Sequence, residues 1–573
     1  MPYEILTLRD TTWQIEATIE KKSEAEEVAT QVLGDAGVGG VRVVKEETLI
    51  AKSIDELEDE DFIFEKIKEA VQEKIFVGDI DEAPDCETAD DLLKPASRKT
   101  INRLFRKYLD KNNITAMEVL HNGKEIKRVN DADTLMPTAI AKVAQLQSET
   151  GDVTTNERRD ALFNFLQEIT DKANHAEARN LPRIKQSGFE ATLSALKDLA
   201  NEEEFPYLLN IMISKELIDN RSYWGKLLQS IEWGTETKDP RAEKAIDYFI
   251  ADILVNNIVI QDLLGDQLDL GSAVIEMLDL GSGSLESGDI EEMQEESIEW
   301  TKTKLNNLLA RETFKESQLV LAERAQQQIE GSGNLSKEGE EGEIKRFDAI
   351  LNRVVSKDAV LGGAEMAQAL TERQTRIINK GGLTGIKEAI NSLVPSLQSP
   401  ARKIAFLLAL KESKMTEEQL EKFIHEYIEA LFLKPSSVNG IVNADLPPNK
   451  KMEQITSSFY QIEKSKLEQE QKDQITNKLD ELLASYIEES KIIEKIDNPD
   501  RPMHLRALML VGMCQAEMLP NGRASDIARG VITEHLKQPN FNTELVAQVE
   551  DTAEKDKILS KFQAQLKRAG IAV

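Results

Sequence analysis

The chain has 573 residues, is 40% hydrophobic and 30% charged, and carries a formal net charge of −32. That length allows several domains, and the composition excludes a disordered or membrane-embedded chain. The overall negative field disfavours nucleic acid and anionic membrane as partners unless a local basic patch overrides it.

The charge is concentrated. Residues 46–91 hold 18 acids and 4 bases, and residues 245–301 hold 14 acids with no Lys or Arg. Together they carry −28 of the −32, leaving −4 for the other 470 residues. The chain is therefore near neutral with two acidic segments, which argues against a uniformly acidic, halophile-like surface. Its two cysteines, Cys86 and Cys514, cannot build a disulfide framework or a Cys-based zinc site. Their scarcity fits a reducing compartment, so a cytoplasmic location is expected. The N-terminus has no basic and apolar regions of a signal peptide. The most apolar stretch, Ile246 to Leu264, is interrupted by Asp247, Asp252, Asn256, Asn257 and Asp262, so it reads as one buried core helix and not as a membrane span.

In chain order, residues 1–50 predict a small ββαβ module. Tyr3 to Leu8 and Trp13 to Ile19 read as strands about a turn at Asp10-Thr11-Thr12. Ser23 and Glu26 form a capping box for a helix, and Val41 to Val44 form a third strand. Residues 51–97 predict an acidic helix, carried by Phe62, Phe64, Ile67, Val71 and Ile75, followed by a linker. Arg98 to Lys111 is the clearest amphipathic helix: Ile101, Leu104, Phe105, Tyr108 and Leu109 recur at helical spacing. Asn122-Gly123 between two short runs predicts a β-hairpin.

From about Pro137 the pattern is helical. It divides into a helical domain over 98–330, a polar linker over 331–345 and a second helical domain over 346–498. That second domain includes an antiparallel hairpin, with Met452 to Ile462 on one arm and Ile475 to Tyr486 on the other. A C-terminal helical unit covers 499–573. The expected fold is mainly α with an N-terminal ββαβ module and a multi-helix, solenoid-like body. No repeat period recurs, apart from Leu268-Asp269-Leu270-Gly271-Ser272 returning as Leu278-Asp279-Leu280-Gly281-Ser282.

Three constellations carry candidate chemistry. Asp262, Asp266 and Asp269 would share one helix face and could hold a hard cation. Lys380, Gly381, Gly382, Thr384, Gly385 and Lys387 form a glycine-rich turn into a helix, which suits an anion, but P-loop spacing is absent. Lys99, Arg103, Arg106, Lys107 and Lys111 form a basic helix face that could touch a partner or phosphates. Its segment, 92–111, nets +6 and closely follows the first acidic segment, so neutralisation within the chain is the simpler use. The five histidines form no zinc motif, and Cys514 among Leu508, Met509, Leu510, Val511 and Met513 reads as a buried structural thiol.

No catalytic constellation or cofactor motif emerges, so no cofactor is expected. The sequence reads as a cytoplasmic, non-enzymatic interaction or regulatory protein whose acidic segments contact a basic partner. Two alternatives stand beside it: an enzyme or nucleotide- or metal-binding protein with a site assembled across helices, and a nucleic-acid-associated protein using the basic helix.

Overall fold

Alternating β-branched residues build a four-stranded antiparallel sheet at the N-terminus. Strands β1 (Tyr3–Arg9), β2 (Thr12–Ile19), β3 (Val38–Lys45) and β4 (Phe62–Ile67) lie in the order β2-β1-β3-β4. Helix α1 (Lys22–Val32) covers one face, and Ile5, Ala25, Ala29, Val41 and Val43 form a separate small core there. This computed structural model describes the whole chain except residues 1, 10–11, 36–37, 47, 49–60, 68–75, 133, 151–152, 287, 548, 550 and 572–573. The expected turn at Asp10-Thr11 lies outside the described residues.

Two expectations in this region change. Phe62, Phe64 and Ile67 belong to strand β4, not to an acidic helix, because β3 offers a free edge that pairs Val43 with Phe64. Val71 and Ile75 of that helix lie outside the described residues. The module therefore reaches beyond residue 50. Helix α1 also starts at Lys22, with no side-chain cap, so Ser23 falls inside its first turn and caps nothing.

Helix makes up 68% of the chain, so the fold is mainly α with a small α+β module. A spine of helices runs through the body: Pro240–Leu254, Lys315–Glu330, Gly363–Ile378, Pro400–Lys411, Pro448–Lys464, Gln469–Glu489, Arg523–Leu536 and Met503–Met513. Each packs on the next. Pro448–Lys464 and Gln469–Glu489 form the expected hairpin, broken at Ser465 to Glu468. One continuous apolar cluster extends from Met117 to Ala569 and crosses 331–345, where Leu335 is fully buried. Arg373 ties that stretch down by donating to the carbonyls of Gly331 and Gly333 and to Glu343.

Several expected single helices are pairs, and the breaks have tertiary causes. The basic helix divides at Phe105 into Pro95–Leu104 and Arg106–Asn112. There the Gly78 amide takes the Leu104 carbonyl at 2.8 Å. A Cβ at Gly78 would sit 2.2 Å from the Arg103 carbonyl oxygen, so only glycine allows this approach. The apolar stretch divides into Pro240–Leu254 and Asn257–Leu264. Asn256 caps the second helix, while Arg324 takes the Leu254 and Val255 carbonyls that end the first.

The Asn122-Gly123 hairpin is instead a helix junction. Thr115 and Glu118 form a capping box for helix Ala116–Leu120, and Asn122 caps helix Gly123–Asn130. Asn-Gly chose the N-cap over the hairpin because its flanks, all buried over 116–120, pack as helix against neighbouring helices. The duplicated pentapeptide frames one helix, Leu270–Gly281: its first copy supplies the Asp269 cap and its second copy ends it.

Candidate functional site

Helix Ala116–Leu120 is the hub of a buried polar seam. Its Glu118 carboxylate accepts from the Thr115 amide at 2.7 Å and from Lys226 Nζ at 2.5 Å. Lys226 also donates to the Asn113 carbonyl, and both charged side chains are fully buried. Burial pushes Glu118 up and Lys226 down, and each partner's charge opposes that push.

Asp252 forms the second half of the seam. Its carboxylate accepts from Arg98 Nη1 at 3.1 Å, from Asn102 Nδ2 at 3.3 Å and from the Met117 amide at 2.8 Å. Arg98 is 2% exposed and lies over the Tyr248 ring at 4.5 Å. Beside the seam, His121 is buried with its Nδ1 bonded to the Met117 carbonyl. Burial holds its imidazole down at about 4.

Above Asp252 the structure opens into a cleft of ≈ 790 Å³. The basic helix Pro95–Leu104 forms one wall and helix Lys315–Glu330 the other, with Ala251 and Val255 at the floor. Lys99 and Glu323 bridge the walls at 2.7 Å. Arg103 and Arg106 line one side and Arg324 the other. Arg324 donates to the Leu254 and Val255 carbonyls and to Asn257 Oδ1. Burial and the neighbouring charge of Arg106 lower its guanidinium to about 10.

Apart from Asp262 and Asp266, which are exposed, the acids of 245–301 fall into two groups. Asp247 reaches 70 residues along the chain to accept from the amides of Glu316 and Ser317 and from the Ser317 hydroxyl. It thereby caps helix Lys315–Glu330, whose own Phe314 cannot. Burial pushes its carboxyl up to about 6. Asp269 caps its helix and pairs with Arg346, Glu276 pairs with Lys302, and Asp279 pairs with Arg353. By contrast, Glu286, Asp289, Glu291, Glu292, Glu295, Glu296 and Glu299 are all exposed. Among the described residues none of these seven forms an ion pair. The loop is nonetheless anchored: the Leu285 amide donates to Asn306, the Thr303 hydroxyl to Met293 Sδ, and Ser297 caps the next helix.

Asp262, Asp266 and Asp269 do not share a helix: Asn257–Leu264 ends at Gly265, whose φ is +61°. Asp269 belongs to the next helix as its cap, and the described residues hold no cluster of three potential metal-binding side chains. Gly381 precedes helix Gly382–Ser396, and the preceding helix ends on left-handed Asn379. In that turn Lys380 pairs with Glu388, Lys387 lies over the Phe423 ring, and Gly385 packs on the Lys380 carbonyl; Thr384 is exposed. Of the basic face, Lys99 and Arg106 are ion-paired, while Arg103, Lys107 and Lys111 are exposed and unpaired among the described residues. Cys514 is 3% exposed, and burial raises its thiol to about 11.

Sequence reasoning missed Arg98, Asp252, Asp247, Lys226 and Arg324. Arg98 had a readable signal: it lies three residues before Ile101 and seven before Phe105, on the apolar stripe. Thr115-x-x-Glu118 is likewise a capping-box pattern. Lys226 and Arg324 carry no local signal. No helix among the described residues is long and apolar enough to cross a membrane. Compared with family models, curated proteins and solved structures, the chain matches none.

Proposed function

We propose that this protein is a non-enzymatic, cytoplasmic interaction scaffold that docks a basic protein segment on the surface formed by Glu286 to Glu299. The observation that carries this reading is the set of seven exposed carboxylates on an anchored loop, none of them ion-paired among the described residues. Like charges held together repel, so an ordered acidic surface costs stability that a cationic partner would recover. The stacked helices support the same reading, since a solenoid-like body presents long surfaces and keeps them rigid.

The basic helix gives less support to nucleic-acid contact. Its Arg98 is buried, and Lys99 and Arg106 are already paired.

The test is affinity capture with the full chain and with a variant carrying Gln or Asn at all seven acidic positions. A basic partner held at low salt, released as salt rises and lost by the variant, is the expected result. Capture that ignores both salt and the seven substitutions refutes the reading.

A further inference from the structure

The cleft beside the buried seam is polarised along its length. At one end the charges are matched: Arg98 with Asp252, and Lys99 with Glu323. Glu316, half-buried beside Arg98, closes that end; burial, helped by the charges of Glu323 and Asp252, raises its carboxyl against the opposing pull of Arg98 and Lys244. At the other end the balance is positive. Among the described residues Arg324 is bonded to carbonyl oxygens and an amide oxygen, with no carboxylate in contact. Arg106 is near enough to depress its pKa. Arg103, one turn before, makes no hydrogen bond or ion pair among the described residues. Asp110, shared between Arg106 and Asn256, offsets this end in part; of the acids at the rim, Asp79 is paired with Lys142 and Glu82, near Arg103, with Lys414.

We propose that Arg103, Arg106 and Arg324 bind the phosphate group of a small organic phosphate in this cleft. Guanidinium groups from two walls give fork-like donors suited to a dianionic, several-oxygen acceptor. The volume, ≈ 790 Å³, lies in the range of small-molecule sites. Val255, Leu319 and Val320 line it beyond the arginines, so an uncharged body has apolar surface to cover. The mouth favours a compact ligand over a nucleic acid or a phosphoprotein. Asp79 and Asp81 stand at its rim, and Glu82 lies near Arg103. An extended polyanion would have to pass these carboxylates and the field of a −32 chain. The site is separate from the acidic loop, so neither proposal depends on the other.

Calorimetric titration of the full chain with phenyl phosphate and with inorganic phosphate tests this. Saturable one-to-one binding is expected, tighter for phenyl phosphate because of the apolar floor. Arg103→Glu should weaken it by at least about tenfold, and Arg106→Gln should weaken it as well. Lys107→Glu, next to Arg106 on its helix but outside the cleft, should leave it unchanged. Among the described residues Arg103 makes no hydrogen bond or ion pair to lose, and Arg103→Gln, which repeats the test without setting a like charge beside Glu82, should melt as the parent does. No saturable binding of either probe overturns the proposal. So does equal affinity for the two probes, binding indifferent to both Arg103 variants, or an equal loss in Lys107→Glu.

Discussion

Two groups of acids lie within the same stretch of 57 residues and meet opposite fates. Asp247, Asp252 and Asp269 are taken into the body, where each carboxylate accepts backbone amides as well as side-chain donors. The acids of Glu286 to Glu299 stay outside, with no ion pair among the described residues. The sequence distinguishes them weakly, since both groups sit between apolar residues. The difference shows that net charge is a poor guide to role. A carboxylate surrounded by orphan amides is part of the architecture, and one surrounded by water and other carboxylates is free to meet a partner.

The largest test of this contrast is Asp252→Ala. It leaves Arg98 buried without its counter-charge and the Met117 amide without an acceptor. A loss of about 3–5 kcal/mol is expected in urea unfolding. A loss below about 1 kcal/mol would place the seam's contribution elsewhere.

Asp247→Ala should follow, at about 2–3 kcal/mol, because two amides of helix Lys315–Glu330 lose their only cap. Its signature would be local: hydrogen exchange should rise first in the turn containing Glu316 and Ser317.

His121 should add a pH dependence to the interior. Its folded imidazole titrates near 4, against 6.5 ordinarily, so the folded state favours the neutral ring. Its contribution is present above pH 6.5 and is lost as pH falls through 4. Between pH 7 and 5 this amounts to about 2 kcal/mol. His121→Phe should flatten that part of the stability profile, and an unchanged slope would assign it to another group.

The smallest effect belongs to the loop. Gln at Glu291, Glu292, Glu295 and Glu296 should shift stability by less than about 0.5 kcal/mol per site. Any shift should be a gain at low salt that fades as salt rises, because it comes from relieved repulsion. A large loss would mean that the loop acids are structural after all, and the contrast would collapse.

Much of the fold was legible because it rests on periodicity. The strands of β1 to β3, the long amphipathic helices and the 448–489 hairpin follow from apolar spacing alone. The errors share one cause. Phe62 to Ile67 satisfied a helical pattern until a β3 edge was available. Asn122-Gly123 satisfied a hairpin pattern until its flanks packed as helix. The breaks at Phe105 and Val255 come from Gly78 and Arg324, which lie far away in sequence.

The candidate sites were less legible for the same reason. Arg103 and Arg106 were visible as a basic face, but what they face was not. Arg324 joins them only because helix Lys315–Glu330 stacks against Pro240–Leu254. The amino-acid order alone determined the helical class, the small β-module and the two places where negative charge collects, since these depend on neighbours within a few turns. The tertiary structure alone decided which acids became caps and buried counter-ions, which remained exposed, and which cations converge on a cleft. Burial and pairing are set by contacts between residues tens to hundreds of positions apart, and no local pattern encodes them.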